Sequence, residues 1–204
     1  ARRRFQVNLP RCEVMAYICT CQHLRWGDVA VDVGAHVGQN TLLMAALVGP
    51  SGQVLSLEPL PSLRKQLKEK LRREQLDNVT VFPYAAVGPG NEHLPDTSRK
   101  LYFNPSEPTP MMNRFWIAPE EAGVFDSVVV PCQTVDTLTE GIPEIHFLKV
   151  DVEGAEVEVL LGAQETIKRS PNIGLLVEYW PWGQRQFGSS AQGLLKLLLD
   201  LNLT

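Results

Sequence analysis

Residues 31–40, VDVGAHVGQN, decide the fold. A run of β-formers carries the acid Asp32, the glycines Gly34 and Gly38 stand four apart, and Gln39 and Asn40 open an apolar segment. That segment, QNTLLMAALVG, has helical spacing and stops at Gly49-Pro50, a good helix terminator. A strand therefore turns tightly into a helix. Outward from this unit the alternation repeats. GQVLSLEP reads as a second strand ending in Glu58, and PSLRKQLKEKLRREQL as an amphipathic helix with Leu63, Leu67 and Leu71 on one stripe. NVTVFPYAAVG is a third strand and its exit. Later, IHFLKVD and NIGLLVEYW read as buried strands, EGAEVEVLLGAQETI and AQGLLKLLLDL as helices, and TVDTL as the start of a short one. Strand and helix alternating through short turns predict an α/β fold, a mostly parallel, doubly wound sheet with helices on both faces.

Two stretches depart from this rhythm. CEVMAYICTCQHL predicts a helical lead-in within residues 1–24. Residues 91–131 hold RKLYF and SVVV around a Pro-rich loop, and are too short for a core of their own. They are expected to form an inserted hairpin or flap within a single domain spanning residues 1–204.

Composition narrows the partners. The chain has 204 residues, 44% hydrophobic and 21% charged, which describes an ordinary globular protein with a sizeable core. A net charge of −4 speaks against a bulk electrostatic grip on nucleic acid, so no nucleic-acid partner is expected. The basic ARRRF at residues 1–5 is read as solvated. No apolar run approaches a membrane span, so no membrane partner is expected, and the cytoplasm is the expected compartment. Cys12, Cys19, Cys21 and Cys132 lack zinc-site spacing and are read as buried or free thiols in a reducing compartment.

Three ligands compete for the glycine turn. A phosphate loop closes on Lys-Ser/Thr, whereas Gln39 and Asn40 stand here. A dinucleotide turn needs G-x-G-x-x-G, but here Ala35 and His36 replace the open middle and would crowd a pyrophosphate. The third ligand is a nucleoside without phosphates near the turn. Asp32, at the carboxyl end of its strand, suits an ammonium group, directly or through water. Glu58, ending the next strand, suits the two hydroxyls of a ribose. An amino-acid end plus a ribose describes S-adenosylmethionine. The bland alternative is that the glycines only permit a tight turn and close packing.

VDVGAHVGQNT, VLSLEPLP, AAVG, TVDTL, FLKVDVEGAEVEVLLGA and LLVEYW occur in that order over roughly residues 25–180. Together they resemble the FkbM-type methyltransferases, KVDVEGAE being the most specific element. The resemblance implies a Rossmann-like class I methyltransferase fold with spatial strand order 3-2-1-4-5. It implies S-adenosylmethionine bound by Asp32, Gly34, Ala35, His36, Gly38, Asn40, Glu58, Pro59, Ala86 and Asp151. The implied activity is O-methylation of a small-molecule or sugar hydroxyl. Two departures stand out. Relatives often carry Asn where His36 stands, and the C-terminal strand pair that usually follows the last helix is expected to be missing. These departures motivate an alternative, a catalytically inactive module that still binds the cofactor.

Methyl transfer to a hydroxyl needs a base, or a metal that lowers the hydroxyl's pKa. The predicted order brings Asp151 and Glu153 to the crevice beside the glycine turn. They are the candidate catalytic carboxylates, with His36 as a further candidate base. Asp151, Glu153 and Glu178 are candidate ligands of a divalent cation such as Mg²⁺. Lys149 shares a strand face with Asp151, and either pairs with a carboxylate or shapes the pocket. Glu156 and Glu158 are expected to be first-turn helix acids facing solvent or a structural Lys/Arg. Trp180 and Trp182 either wall an acceptor pocket or pack structurally. The loop 104–119, with Met111, Met112, Phe115 and Trp116, is a candidate lid. His23, His93 and His146 have no evident role.

Overall fold

The computed structural model describes residues 11–90, 98–107, 113–121 and 123–201. Residues 1–5, His93, Met111 and Met112 lie outside them. In chain order the elements begin with α1 (Arg11–His23), β1 (Val29–Val33), α2 (Gln39–Val48), β2 (Gln53–Leu57), α3 (Pro61–Glu74), β3 (Val79–Phe82) and β4 (Ala85–Ala86). The insertion supplies β5 (Ser98–Phe103) and β6 (Asp126–Gln133). Then follow α4 (Val135–Leu138), β7 (Phe147–Val150), α5 (Glu156–Leu161), α6 (Gln164–Lys168), β8 (Gly174–Val177), α7 (Pro181–Gln186) and α8 (Ala191–Asp200).

The main sheet has five parallel strands in the order β3-β2-β1-β7-β8, as the sequence reading expects. Its central strands are buried on both faces, which is why VAVDV and FLKV read as near-continuous apolar runs. Val31, Val33, Leu55, Leu148 and Val150 belong to the largest core cluster, and Ala30, Val54 and Phe147 join α2 in another. Leu63, Leu67 and Leu71 are the buried stripe of α3, which starts on Pro61 and ends where Gln75 turns left-handed. Chain order reverses between β1 and β7, so a crevice opens at their carboxyl ends.

The insertion is a hairpin. β5 and β6 pair antiparallel from Ser98↔Pro131 to Phe103↔Asp126, and β4 adds to β6 in parallel. Leu101, Val130 and Cys132 pack with Leu60 and Leu63, so this small sheet shares the core beside α3. Arg99 fastens it to α5 through a two-pronged pair with Glu158, at 2.6 and 2.5 Å.

The helix expected over EGAEVEVLLGAQETI is two short ones, α5 and α6, divided at Gly162-Ala163. A Cβ on Gly162 would lie 2.1 Å from the Val87 carbonyl oxygen, so the chain bends here to let two backbones touch. A further difference is α7, a short helix built from PWGQRQ directly after β8. Among the described residues, no helix is long and apolar enough to cross a membrane.

Candidate active site

The glycine turn hangs between β1 and α2. Gly34, His36 and Gly38 all adopt left-handed backbone, with φ of 77°, 53° and 87°. The Gly34 and Ala35 N–H groups donate to the Leu57 carbonyl, which ties the turn to β2. A Cβ on Gly34 would stand 1.9 Å from the Asp151 carbonyl oxygen, so the turn presses against the end of β7. No side chain caps α2 at Gly38, and Gln39 and Asn40 face the space above.

That space is a cavity of about 440 Å³ at the switch point between β1 and β7, a size typical of small-molecule sites. Gly34, Ala35, His36, Asn40, Glu58, Pro59, Ala86, Asp151 and Glu153 all line it, as does Lys149. From the hairpin come Leu101, Asn113 and Phe115. Gly38 packs against Leu67 beneath the turn. Glu58 is buried at the end of β2, its two oxygens accepting the N–H groups of His36 and Leu60, each at 2.8 Å. Each oxygen keeps lone pairs for a ribose hydroxyl. Asn40 Oδ1 is buried without a protein partner among the described residues, an acceptor that a ligand donor would satisfy.

Asp32 is not on the wall of this cavity, contrary to its expected contact with an ammonium group. It is fully buried below the turn, where Thr41 Oγ1 donates to it at 2.6 Å and Lys149 Nζ lies 3.2 Å away. Lys149 also reaches Asp151 Oδ2 at 3.3 Å and donates to the Gly34 carbonyl at 3.2 Å. Burial opposes the charge on Lys149, but Asp32 and Asp151 outweigh it and hold its pKa above the ordinary lysine value.

Asp151, Glu153 and Glu178 converge, each offering an oxygen within 4.8 Å of the others. Glu153 has a φ of 56°. Burial, then the charges of Asp151 and Glu156, lift its pKa to about 7. Burial and the same neighbours, with Glu153, lift Glu178 to about 8. Glu58 is raised to about 7 by burial, against the hydrogen bonds of Leu60 and His36.

These three carboxyls hold their protons more tightly when folded than at the ordinary value of 4.5. The folded state thus binds extra protons from pH 4.5 up to about 8. Their contribution to stability falls as pH rises through that window and is flat above it. The urea midpoint is therefore expected to drop between pH 5 and 8.5, and Glu178→Gln to shrink that drop. An undiminished drop in the variant would reject the assignment.

Glu156 is the main correction to the sequence reading. Far from facing solvent, it is fully buried. Its Oε1 accepts the N–H groups of Val152 and Gly154 at 3.3 and 3.0 Å, and Oε2 accepts from Gln184 Nε2 at 3.2 Å. It folds the loop that presents Glu153. The signal was present: a Glu just after a glycine turn, at a helix start, folds back onto preceding N–H groups as capping acids do. Glu158 does meet a structural arginine, Arg99.

Arg114 and Trp116 were also missed or undervalued. Arg114 is buried, ion-paired with Glu121, and stacked 4.1 Å from Trp116 and 4.8 Å from Phe125. Trp116 packs on Trp182 and Trp180, with ring centroids 5.0 and 6.2 Å away, and its indole donates to the Glu153 carbonyl. The hairpin thereby bridges to the turn after β8. Two of the three histidines left without a role have structural ones: His146 accepts from Val29 N at 3.1 Å, and His23 lies 3.1 Å from the Asn172 carbonyl.

Known proteins share this architecture. A FkbM methyltransferase from Methylobacillus flagellatus superposes with a TM-score of 0.53 at 17% identity, over 93% of this chain and 44% of that one. A Streptococcus mutans protein, described as a methyltransferase and solved with SAH, superposes at 0.53 with 13% identity, over 95% and 84%. These likenesses establish the Rossmann-like class I methyltransferase fold. In sequence, a protein-L-isoaspartate O-methyltransferase from Ignicoccus hospitalis is 37% identical over 82 residues, 40% of this chain and 37% of that protein. The match thus spans well under half of that curated relative. The family model of the methyltransferase FkbM domain matches residues 32–202, most of the chain including the glycine turn and the Asp151, Glu153 and Glu178 cluster, and the chain belongs to that family.

Proposed function

We propose that this protein transfers a methyl group from S-adenosylmethionine to a hydroxyl of a small molecule or sugar. The observation that carries the reading is the cavity at the switch point, with Glu58 at one strand end and Asp151 and Glu153 at another. The adenosine end fits against Glu58 and Pro59, with Asn40 and Ala86 on the same wall set. Gly34, Ala35 and Asp151 lie where the amino-acid end reaches.

Bound S-adenosylmethionine supplies an electrophilic methyl group on a sulfonium. Glu153, with a pKa near neutrality, would take the acceptor's hydroxyl proton as the oxygen bonded the methyl carbon, the methyl–sulfur bond broke with its electron pair on sulfur, and S-adenosylhomocysteine was left. Asp151 orients the acceptor beside it, and His36 is the alternative base on the same wall. Phe115 puts an aromatic ring on the cavity wall, while Trp116, Trp180 and Trp182 pack on one another and brace the Glu153 loop. The all-oxygen set of Asp151, Glu153 and Glu178 suits a hard cation such as Mg²⁺, which would acidify the same hydroxyl. Activity lost on chelation and restored by Mg²⁺ is the result that the cation requires. The acidic net charge supports an acceptor other than nucleic acid, and the free thiols Cys19, Cys21 and Cys132 fit a cytoplasmic setting.

Calorimetry with S-adenosylmethionine and S-adenosylhomocysteine tests the reading. Ribose hydroxyls donating to Glu58 favour its ionised form, so its pKa falls on binding. Binding near pH 6.5 should therefore release protons, seen as a buffer-dependent heat, and Glu58→Ala should abolish that dependence while weakening binding. No binding of either ligand at millimolar concentration would overturn the proposal.

A further inference from the structure

Ser56, Asp32 and Lys149 form a row across the sheet, being register partners on β2, β1 and β7. Thr41 Oγ1 lies 3.1 Å from Ser56 Oγ and closes the row onto α2. Every member is buried. The row ends at Lys149, whose ammonium meets Asp32, Asp151 and the Gly34 carbonyl at 3.2, 3.3 and 3.2 Å.

A ligand ammonium beside Asp32 would need the place that Lys149 already fills. Gly34 and Asp151, by contrast, line the cavity while Asp32 does not. Both keep acceptor capacity beyond the lysine, because a carbonyl has two lone pairs and a carboxylate about four. Asp151 also stands beside Glu153 and Glu178, so Lys149 does not exhaust the carboxylate oxygens that a ligand ammonium could meet.

We propose that Lys149 is a positioning residue for the amino-acid end of the cofactor. Its ammonium takes the site on Asp32 and tethers the Gly34 carbonyl and the Asp151 carboxylate, which then receive the ligand's ammonium. The proposal rests on the S-adenosylmethionine reading above. Asp32, expected to meet that ammonium directly or through water, instead acts through the lysine.

The test uses the whole chain, two ligands and two variants. S-adenosylhomocysteine has the amino-acid end, whereas 5′-methylthioadenosine keeps the adenosine and lacks it. Lys149→Met strands the buried Asp32 charge and should lower the melting temperature sharply. The double variant Asp32→Asn/Lys149→Met removes both charges and should regain most of that temperature. In the double variant, S-adenosylhomocysteine should bind at least about tenfold more weakly than in the parent. 5′-Methylthioadenosine should bind within about twofold of the parent, a difference well under one charged contact. Unchanged affinity for S-adenosylhomocysteine would overturn the proposal, as would equal losses for both ligands, the mark of a purely structural lysine. A parent protein that binds neither ligand would overturn the cofactor reading itself, and this proposal with it.

Discussion

Gly34→Ala is expected to lose cofactor binding and roughly 3 to 5 kcal/mol of stability, the sum of left-handed backbone strain and an overpacked contact. Gly34 has a φ of 77°, and its absent Cβ would stand 1.9 Å from the Asp151 carbonyl oxygen. That oxygen is backbone at the end of β7, so no side-chain rotation relieves the clash. Either β1 and β7 part or the turn moves, and both open the cavity wall. Gly141→Ala is the control. Its φ is 78° but nothing lies within 4 Å of its added Cβ, so it should cost only about 1 to 2 kcal/mol. Urea denaturation of both variants, with calorimetry using S-adenosylhomocysteine, separates backbone strain from collision. Equal costs at the two glycines would refute the close approach of the turn to β7.

Glu156→Ala is expected to cost roughly 3 kcal/mol or more, because it strands two buried N–H groups and an amide. The donors are Val152 N, Gly154 N and Gln184 Nε2. Val152 and Gly154 bracket Glu153, so the loop that presents the proposed base loses its shape along with stability. Methyl transfer should fall further than cofactor affinity, since the adenosine end is held elsewhere, at Glu58. Glu158→Ala, two residues on, removes a partly buried pair with Arg99 but strands no backbone donor, and should cost only about 1 kcal/mol. Thermal unfolding of the two variants side by side decides the matter, and similar losses would show that Glu156 is no keystone of the loop.

The layered architecture was legible because its causes are local. β-Branched runs, a leucine stripe at Leu63, Leu67 and Leu71, and the stops at Gly49-Pro50 all act within a few residues. The strand order came through the resemblance, and with it the meeting of Gly34 and Asp151. What escaped was set by contacts across the sheet. Asp32 looked like a ligand-facing acid because it ends a strand near a glycine turn. Its side chain points to the face where Lys149 and Thr41 wait, two partners 117 and 9 residues away in sequence. Glu156 looked like one more acid on a helix start; its fold-back onto Val152 and Gly154 is local, but its burial depends on the amide of Gln184, beyond β8. The break at Gly162 depends on the Val87 carbonyl, on another element altogether.

The polar row through the middle of the sheet also bears on how the chain avoids wrong pairings. A strand buried on both faces keeps its side-chain directions when it shifts by two residues, so its apolar side chains alone distinguish such registers least. Asp32 distinguishes them for β1 on β7. Shifting the pairing by two residues one way sets it opposite Phe147 and leaves two buried charges unmatched. Shifting it the other way sets it opposite Asp151, acid against acid. Only the observed alignment, Asp32 with Lys149, neutralises both. The residues beneath the cavity thus favour one alignment of β1 on β7 by charge, independently of any ligand.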